Sequence, residues 1–126
     1  MFRTMMISKL HRANVTFRDL NYMGSITIDK KLLDVTGMKI NEKVYIYNID
    51  NGQRFSTYII EGEYGSGIIG VNGAAARLVS IGDKVIIINY GLLSENEISD
   101  HIPKVILVNS EDNLEFQEII HENENH

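Results

Sequence analysis

Few side chains in this sequence are equipped to make or break covalent bonds. Cys is absent, which removes thiol nucleophiles, Cys-held zinc or iron–sulfur sites and any disulfide framework. His11, His101, His121 and His126 lack the spacing of metal ligands, and the last two sit in a polar stretch. No metal is expected. A Ser-His-Asp arrangement is not legible, because such triads are set by geometry and not by spacing. What stands out is Tyr22-Met23-Gly24-Ser25-Ile26-Thr27, where a Gly-Ser pair interrupts a strand-like run. Glycine inside a strand marks a bulge or a close backbone approach. The pair alone is common, and Gly65-Ser66 is a second copy.

Gly65-Ser66-Gly67-Ile68-Ile69-Gly70 spells G-x-G-x-x-G. A dinucleotide site needs that loop to open a helix in a βαβ unit. Here Val71-Asn72-Gly73 follows, a poor helix start, so the stretch reads as a flexible β-connection.

The elements that must hold these residues are mostly strands. Runs rich in Val, Ile, Thr, Tyr and Phe cover Arg3–Lys9, Asn14–Phe17, Tyr22–Ile28, Lys43–Ile49, Arg54–Ile60, Lys84–Tyr90 and Lys104–Asn109. Asp50-Asn51-Gly52-Gln53 reads as a hairpin turn, since Asn-Gly readily takes positive φ. One helix is expected, with Asp29 as its N-cap, Leu32, Leu33 and Val35 inside and Gly37 as its stop. A second short turn follows Asn72 through Ala76, and Gly82-Asp83 is a turn before Val85–Ile88. Strands spaced about ten residues apart point to a small, closed or nearly closed barrel. The lone Pro103 begins a strand, where its missing N–H is tolerated.

The 126 residues suit one domain large enough to bury a core. Hydrophobic residues make up 44% and charged residues 23%, a globular balance. No apolar run approaches the roughly 20 residues of a membrane helix, and the start lacks the apolar stretch of a signal peptide, so the default compartment is the cytoplasm. The net charge of −5 is unevenly spread. No Lys or Arg follows Lys104, whereas Glu111, Asp112, Glu115, Glu118, Glu122 and Glu124 crowd the end. Residues 1–110 read as the domain and residues 111–126 as an acidic, mobile tail. Residues 1–24 carry Arg3, Lys9, Arg12 and Arg18 against Asp19 alone. That basic leading edge suits a solvated face or a pocket for a small anion. Without a basic helix or an aromatic platform it is a weak signal for nucleic acid.

Six blocks, taken together, resemble the bacterial aspartate decarboxylase family, whose members depend on a pyruvoyl group. They are Arg3-Thr4-Met5, Lys9-Leu10-His11-Arg12, Tyr22-x-Gly24-Ser25, Asn51-Gly52-x-Arg54-Phe55-Ser56-Thr57-Tyr58, Val71-Asn72-Gly73-Ala74-Ala75-Ala76 and Gly82-Asp83-x-Val85-Ile86-Ile87. They keep the family's order and spacing to about residue 90, and residues 91–126 match poorly apart from the strand ending near Asn109. The resemblance implies a mainly β fold, a small double-ψ β-barrel with one or two short helices, assembled as a homotetramer. It implies decarboxylation of L-aspartate to β-alanine on the way to pantothenate. It also implies a proenzyme that cuts itself between Gly24 and Ser25.

The implied self-cleavage is intelligible from the residues. The Ser25 hydroxyl attacks the Gly24 carbonyl and turns the amide into an ester. Gly24, lacking Cβ, can adopt the strained backbone this needs. Elimination gives dehydroalanine and hydrolysis leaves a ketone. Residues 1–24 become a small subunit, and residues 25–126 begin with a pyruvoyl group made from Ser25. That ketone forms a Schiff base with the substrate amine and drains electrons from the carbanion left by CO2. No pyridoxal site is legible, so a self-made sink is consistent.

By the same resemblance, Thr57 polarises the Gly24 carbonyl and Asn72 assists there. Arg54 grips the substrate's side-chain carboxylate bidentately, and Lys9 is a second cation for it. The backbone of Gly73, Ala74 and Ala75 cradles the substrate, and Tyr58 returns the proton. His11, Tyr22 and Tyr47 are further candidates, Tyr47 standing where the family often has Trp. On a flat strand Arg54 and Tyr58 share a face roughly 13 Å apart while Thr57 points the other way. Either the strand bends or the site lies at a subunit contact, and the contact is the favoured reading. Two other readings stay open: a non-catalytic barrel that binds a partner, and an uncleaved relative with the fold alone. The need for an accessory maturation protein is also open.

Overall fold

The computed structural model describes residues 1–120. His121, Glu122, Glu124 and His126, which figured in the reading of the tail, lie outside them. In chain order the elements are β1 (Phe2–Asn14), β2 (Phe17–Asp19), β3 (Ile26–Asp29), α1 (Lys30–Thr36), β4 (Lys43–Asn48), β5 (Arg54–Gly62), β6 (Ile69–Asn72), a 3₁₀ turn (Gly73–Leu78), β7 (Lys84–Ser94), α2 (Glu95–Ser99), β8 (Lys104–Val108) and β9 (Phe116–Ile119). Among the described residues no helix is long and apolar enough to cross a membrane.

The nine strands are ordered β2-β6-β3-β5-β4-β7-β1-β8-β9. β1 passes into β2 after two residues, so the run from β2 to β1 begins and ends on one stretch of chain. That closes the sheet into a barrel. The seam is tied where the Thr16 N–H donates to the Ile69 carbonyl at 2.9 Å. The pairs β2/β6, β3/β5 and β1/β8 are parallel and the rest antiparallel, so the chain crosses over the barrel rather than meandering around it. Alternating side chains from the strands fill the interior, where Leu10, Ile26, Ile28, Ile46, Ile59, Ile69 and Ile87 are fully buried. Each contributes about 1.5–3 kcal/mol of apolar burial.

The helix over α1 forms as its caps dictate. Asp29 accepts from the Lys31 N–H at 2.8 Å, and Gly37 closes the helix at φ 82° with its N–H on the Leu33 carbonyl. Asp29 also explains the glycine-rich loop. Its two carboxylate oxygens take the N–H groups of Gly65 and Gly67, each at 2.8 Å. The loop therefore cradles an anion, but the anion is the protein's own.

Several expected boundaries shift. Asn14 ends β1 instead of opening a strand, and residues 22–25 form a loop before β3. Ile69–Asn72, expected to lie in or just past a flexible connection, is the buried strand β6. The domain does not stop at residue 110. Asn113 is buried and joins three segments: its Oδ1 accepts from the Asn14 N–H at 2.8 Å, and its Nδ2 donates to the carbonyls of Asn14 and Gly67 at 2.9 and 2.8 Å. Beyond it β9 pairs antiparallel with β8. Phe116 packs on the core while Glu115 and Glu118 face solvent. Glu118 is therefore an exposed residue of an edge strand, and Glu115 stands just before it.

Candidate active site

The candidate residues fall into two groups on one strand, β5. Its exposure alternates, with Arg54, Ser56 and Tyr58 outward and Phe55, Thr57 and Ile59 inward. The strand does not bend to gather Arg54, Thr57 and Tyr58 at one point.

The inward group borders a hollow of about 400 Å³. Tyr22, Gly24, Ser25, Thr57, Asn72, Gly73, Ala74 and Ala75 all line it, with Leu20, Met23 and Ser56 at its edge. Here β6 and the 3₁₀ turn back the loop 22–25. The Gly24–Ser25 bond is held in the left-handed region on both sides, with φ 109° at Gly24 and φ 90° at Ser25. For a residue with a Cβ such a conformation costs about 1–3 kcal/mol. Ser25 is nevertheless 1% exposed, and Asn72 pins it twice. The Asn72 N–H donates to the Ser25 carbonyl at 3.0 Å, and the Asn72 Nδ2 donates to the Ser25 Oγ at 3.2 Å and the Thr27 Oγ1 at 3.1 Å. Gly73 is fixed by space as well as by its φ of 74°, since a Cβ there would lie 2.7 Å from the Gly24 Cα.

The outward group lies on the outer face of β1, β7, β4 and β5. Strand register lines up His11, Ile86, Tyr47 and Arg54 as one row, and Lys9, Ile88, Tyr45 and Ser56 as the next. A second hollow of about 240 Å³ opens on this face between Tyr45, Tyr47, Arg54, Phe55 and Ser56. The Arg54 guanidinium stacks 4.5 Å from the Tyr47 ring centroid. The Tyr47 and Tyr90 hydroxyls are 3.4 Å apart, and Tyr90 meets Tyr45 edge-on at 5.4 Å. His11 has a buried Nδ1 with no hydrogen-bond partner among the described residues. Burial first, then the charges of Lys9 and Arg12, hold its imidazole below its ordinary pKa. Elsewhere on the basic leading edge, Arg3 pairs with Glu95 at 3.1 Å and Arg18 donates to the Ala76 carbonyl.

Of the expected site residues, then, Tyr22, Gly24, Ser25, Thr57, Asn72 and Gly73–Ala75 meet around one hollow. Lys9, His11, Tyr47, Arg54 and Tyr58 meet on one face outside it. Ser56 borders both. Ser56, Tyr45 and Tyr90 were not singled out from sequence. For Ser56 and Tyr45 the signal was the period of two, which puts Ser56 beside Arg54 and Tyr45 beside Tyr47.

A sequence description of the aspartate decarboxylase family matches residues 1–115. The chain belongs to that family. Its relatives include the aspartate 1-decarboxylase of Bacillus pumilus (strain SAFR-032), 60% identical over 115 residues and 91% of each chain. That of Bacillus subtilis (strain 168) is 58% identical over the same span. That of Staphylococcus aureus (strain Newman) is 57% identical over 125 residues, 99% of this chain and 97% of the relative. The likeness thus continues well past residue 90, where it was expected to fade. Among solved structures, a rationally designed protein titled mkDPBB_sym_86 covers 66% of this chain and 90% of its own, with 19% identity and a TM-score of 0.43. For an aspartate decarboxylase the mainly β, double-ψ barrel is the expected class, and the closed barrel with its parallel crossovers agrees with it.

Proposed function

We propose that this chain is a self-processing L-aspartate decarboxylase, a carboxy-lyase of the cytoplasm that releases CO2 and β-alanine for pantothenate synthesis. The observation that carries the reading is the Gly24–Ser25 bond, with positive φ on both sides, strained at Ser25 and held against Asn72 beside a hollow. A buried Ser Oγ pinned there has no structural need of a left-handed backbone. Strain of this kind fits a bond whose rupture relieves it.

The residues present suit a prosthetic group made from Ser25. The Ser25 Oγ bonds to the Gly24 carbonyl carbon while the Gly24–Ser25 C–N bond breaks, giving an ester and a free amine. Loss of the Ser25 Cα proton expels the Gly24 carboxylate and leaves dehydroalanine. One water then enters and ammonia leaves. Asn72 orients the Oγ through its Nδ2, and Thr57, facing the same hollow, is the candidate to stabilise the oxyanion on Gly24. The keto group so made supplies the electron sink for the carbanion formed as CO2 departs.

Substrate recognition falls to the outer face. Arg54 and Lys9 grip the side-chain carboxylate, with Tyr47 as the stacking platform. The Gly73–Ala75 backbone, its side chains small, is the cradle, and Tyr58, 41% exposed on the same face of β5 as Arg54, is the proton donor. Because the two groups face apart on β5, one aspartate reaches both only if the outer face of one protomer covers the hollow of another. That favours a homotetramer with sites at subunit contacts.

Mass spectrometry and a denaturing gel of the purified protein test the first half. Fragments of residues 1–24 and 25–126 are expected, the larger one lacking a free amine. Borohydride treatment with labelled aspartate tests the second half, since label should remain on the first residue of the large fragment. An intact chain in active material, or label on a lysine, overturns the reading.

A further inference from the structure

We propose that Tyr90 is a positioning residue for Arg54, acting through Tyr47. Its hydroxyl fixes the phenol on which the guanidinium rests, and so sets where the substrate's side-chain carboxylate is held. This rests on the reading of Arg54 as the carboxylate grip.

Arg54 stands exposed on an outer sheet face, where an arginine loses about 2 kcal/mol of rotamer freedom when it is held in one geometry. Its one cation–π partner among the described residues is the Tyr47 ring at 4.5 Å. Tyr47 can hold the guanidinium only as firmly as its own ring is held. Its phenol oxygen lies 3.4 Å from that of Tyr90. Tyr90 in turn is wedged edge-on against Tyr45, at 5.4 Å and 77°, and the Lys43 ammonium caps Tyr45 at 5.2 Å. The contacts therefore run Lys43, Tyr45, Tyr90, Tyr47, Arg54, along the outer sheet face to the grip. Tyr90 itself lines neither hollow, so its effect reaches substrate only through this chain. The hydrogen bond with Tyr47 first, then burial, pushes the Tyr90 phenol up to about 12. It stays protonated at neutral pH.

The test uses the fully cleaved protein and its variants Tyr90→Phe, Tyr47→Phe, their double variant and Arg54→Ala. The probe is succinate, a dicarboxylate without an amine, titrated by calorimetry alongside aspartate kinetics. Tyr90→Phe keeps the edge-on contact and loses only the hydroxyl. It should weaken succinate and raise the KM for aspartate about two- to tenfold, the range of one neutral hydrogen bond, with kcat within about twofold. The double variant should be no weaker than Tyr47→Phe alone. Wild-type affinity in Tyr90→Phe overturns the proposal, as does a loss confined to kcat or a double variant showing the product of the two single losses. If the unaltered protein ignores succinate, or Arg54→Ala binds it equally well, the reading of Arg54 is what has failed, and the proposal goes with it.

Discussion

Across β5 the molecule presents two regions built on opposite principles. On the inner side, Ser25 and Asn72 are 1% and 3% exposed and tied by direct hydrogen bonds, with Ser25 set in strained backbone. On the outer side, Arg54 and Tyr58 are exposed, and stacking on aromatic rings does the holding. The difference follows from what each must act on. Bond rearrangement within the chain needs reacting atoms fixed before anything else arrives, and only the chain itself can fix them. On the proposed reading, a carboxylate grip stays open until substrate and a second protomer close over it. That reading makes the inner region complete in one chain and the outer one half of a site.

The sharpest break of this comparison is Ser25→Ala. It should leave a single uncleaved species on a denaturing gel and no detectable CO2 release, with the fold intact by circular dichroism. Residual activity at wild-type level would mean the inner region does no chemistry. Next in size is Arg54→Ala, which should cut kcat/KM by about 10²-fold, the loss expected for a charge-paired contact in an enclosed site, while cleavage proceeds normally. Co-expressing the two inactive variants then decides whether the regions act across protomers. If hollow and face come from different chains, about a quarter of the sites regain both halves. Shared origin in one chain restores none.

A smaller effect separates strain from crowding. Gly73→Ala adds a Cβ against Gly24 at a left-handed φ, whereas Gly52→Ala meets the same kind of φ with nothing within 4 Å. Both should lose about 1–3 kcal/mol of stability from backbone strain, read as a fall in Tm of several degrees. Only Gly73→Ala should also slow self-cleavage, by roughly tenfold if the push on Gly24 costs about 1.4 kcal/mol at the transition state. Equal cleavage in the two variants would show that the tight seat of Gly24 is incidental.

How much of this could be read beforehand differs between the same two regions. The helix from Asp29 to Gly37 was legible because its caps are local chemistry. Most strands were legible from β-branched runs. β6 was hidden because two glycines precede it, and their purpose, to give N–H groups to Asp29 thirty-six and thirty-eight residues earlier, is tertiary. β9 was hidden because Glu115 and Glu118 make the stretch look like a solvated tail, and only pairing with β8 makes it a strand. The short α2 did carry a readable sign: Ser94 and Glu97 form a capping box. In the site, the residue types came from the family resemblance, while their division between two faces came partly from the period of two on β5. The row of His11, Ile86, Tyr47 and Arg54 depends on register across four strands, which no local pattern specifies.

The smallest effect concerns His11, a half-buried member of the outer row. Its folded pKa lies below the ordinary 6.5, through desolvation first and then the positive charges of Lys9 and Arg12. The unfolded chain therefore binds a proton at His11 more readily than the folded one. Stability tied to the neutral imidazole is fully present above the unfolded value and is lost as pH falls below 6.5 toward the folded value. Replacing His11 with Gln removes that titration and leaves Lys9 and Arg12 in place. Between pH 7.5 and 5.5, the Tm of the unaltered protein should fall more steeply than that of His11→Gln, by a margin of about a degree or two. The comparison must be made on isolated protomers and on the assembly. If a neighbouring protomer supplies a partner for the orphaned Nδ1, the steeper fall will be seen in the protomer alone. Parallel Tm curves in both states would show that His11 already titrates as it does in the unfolded chain, and that the outer row is more open to water than its geometry implies.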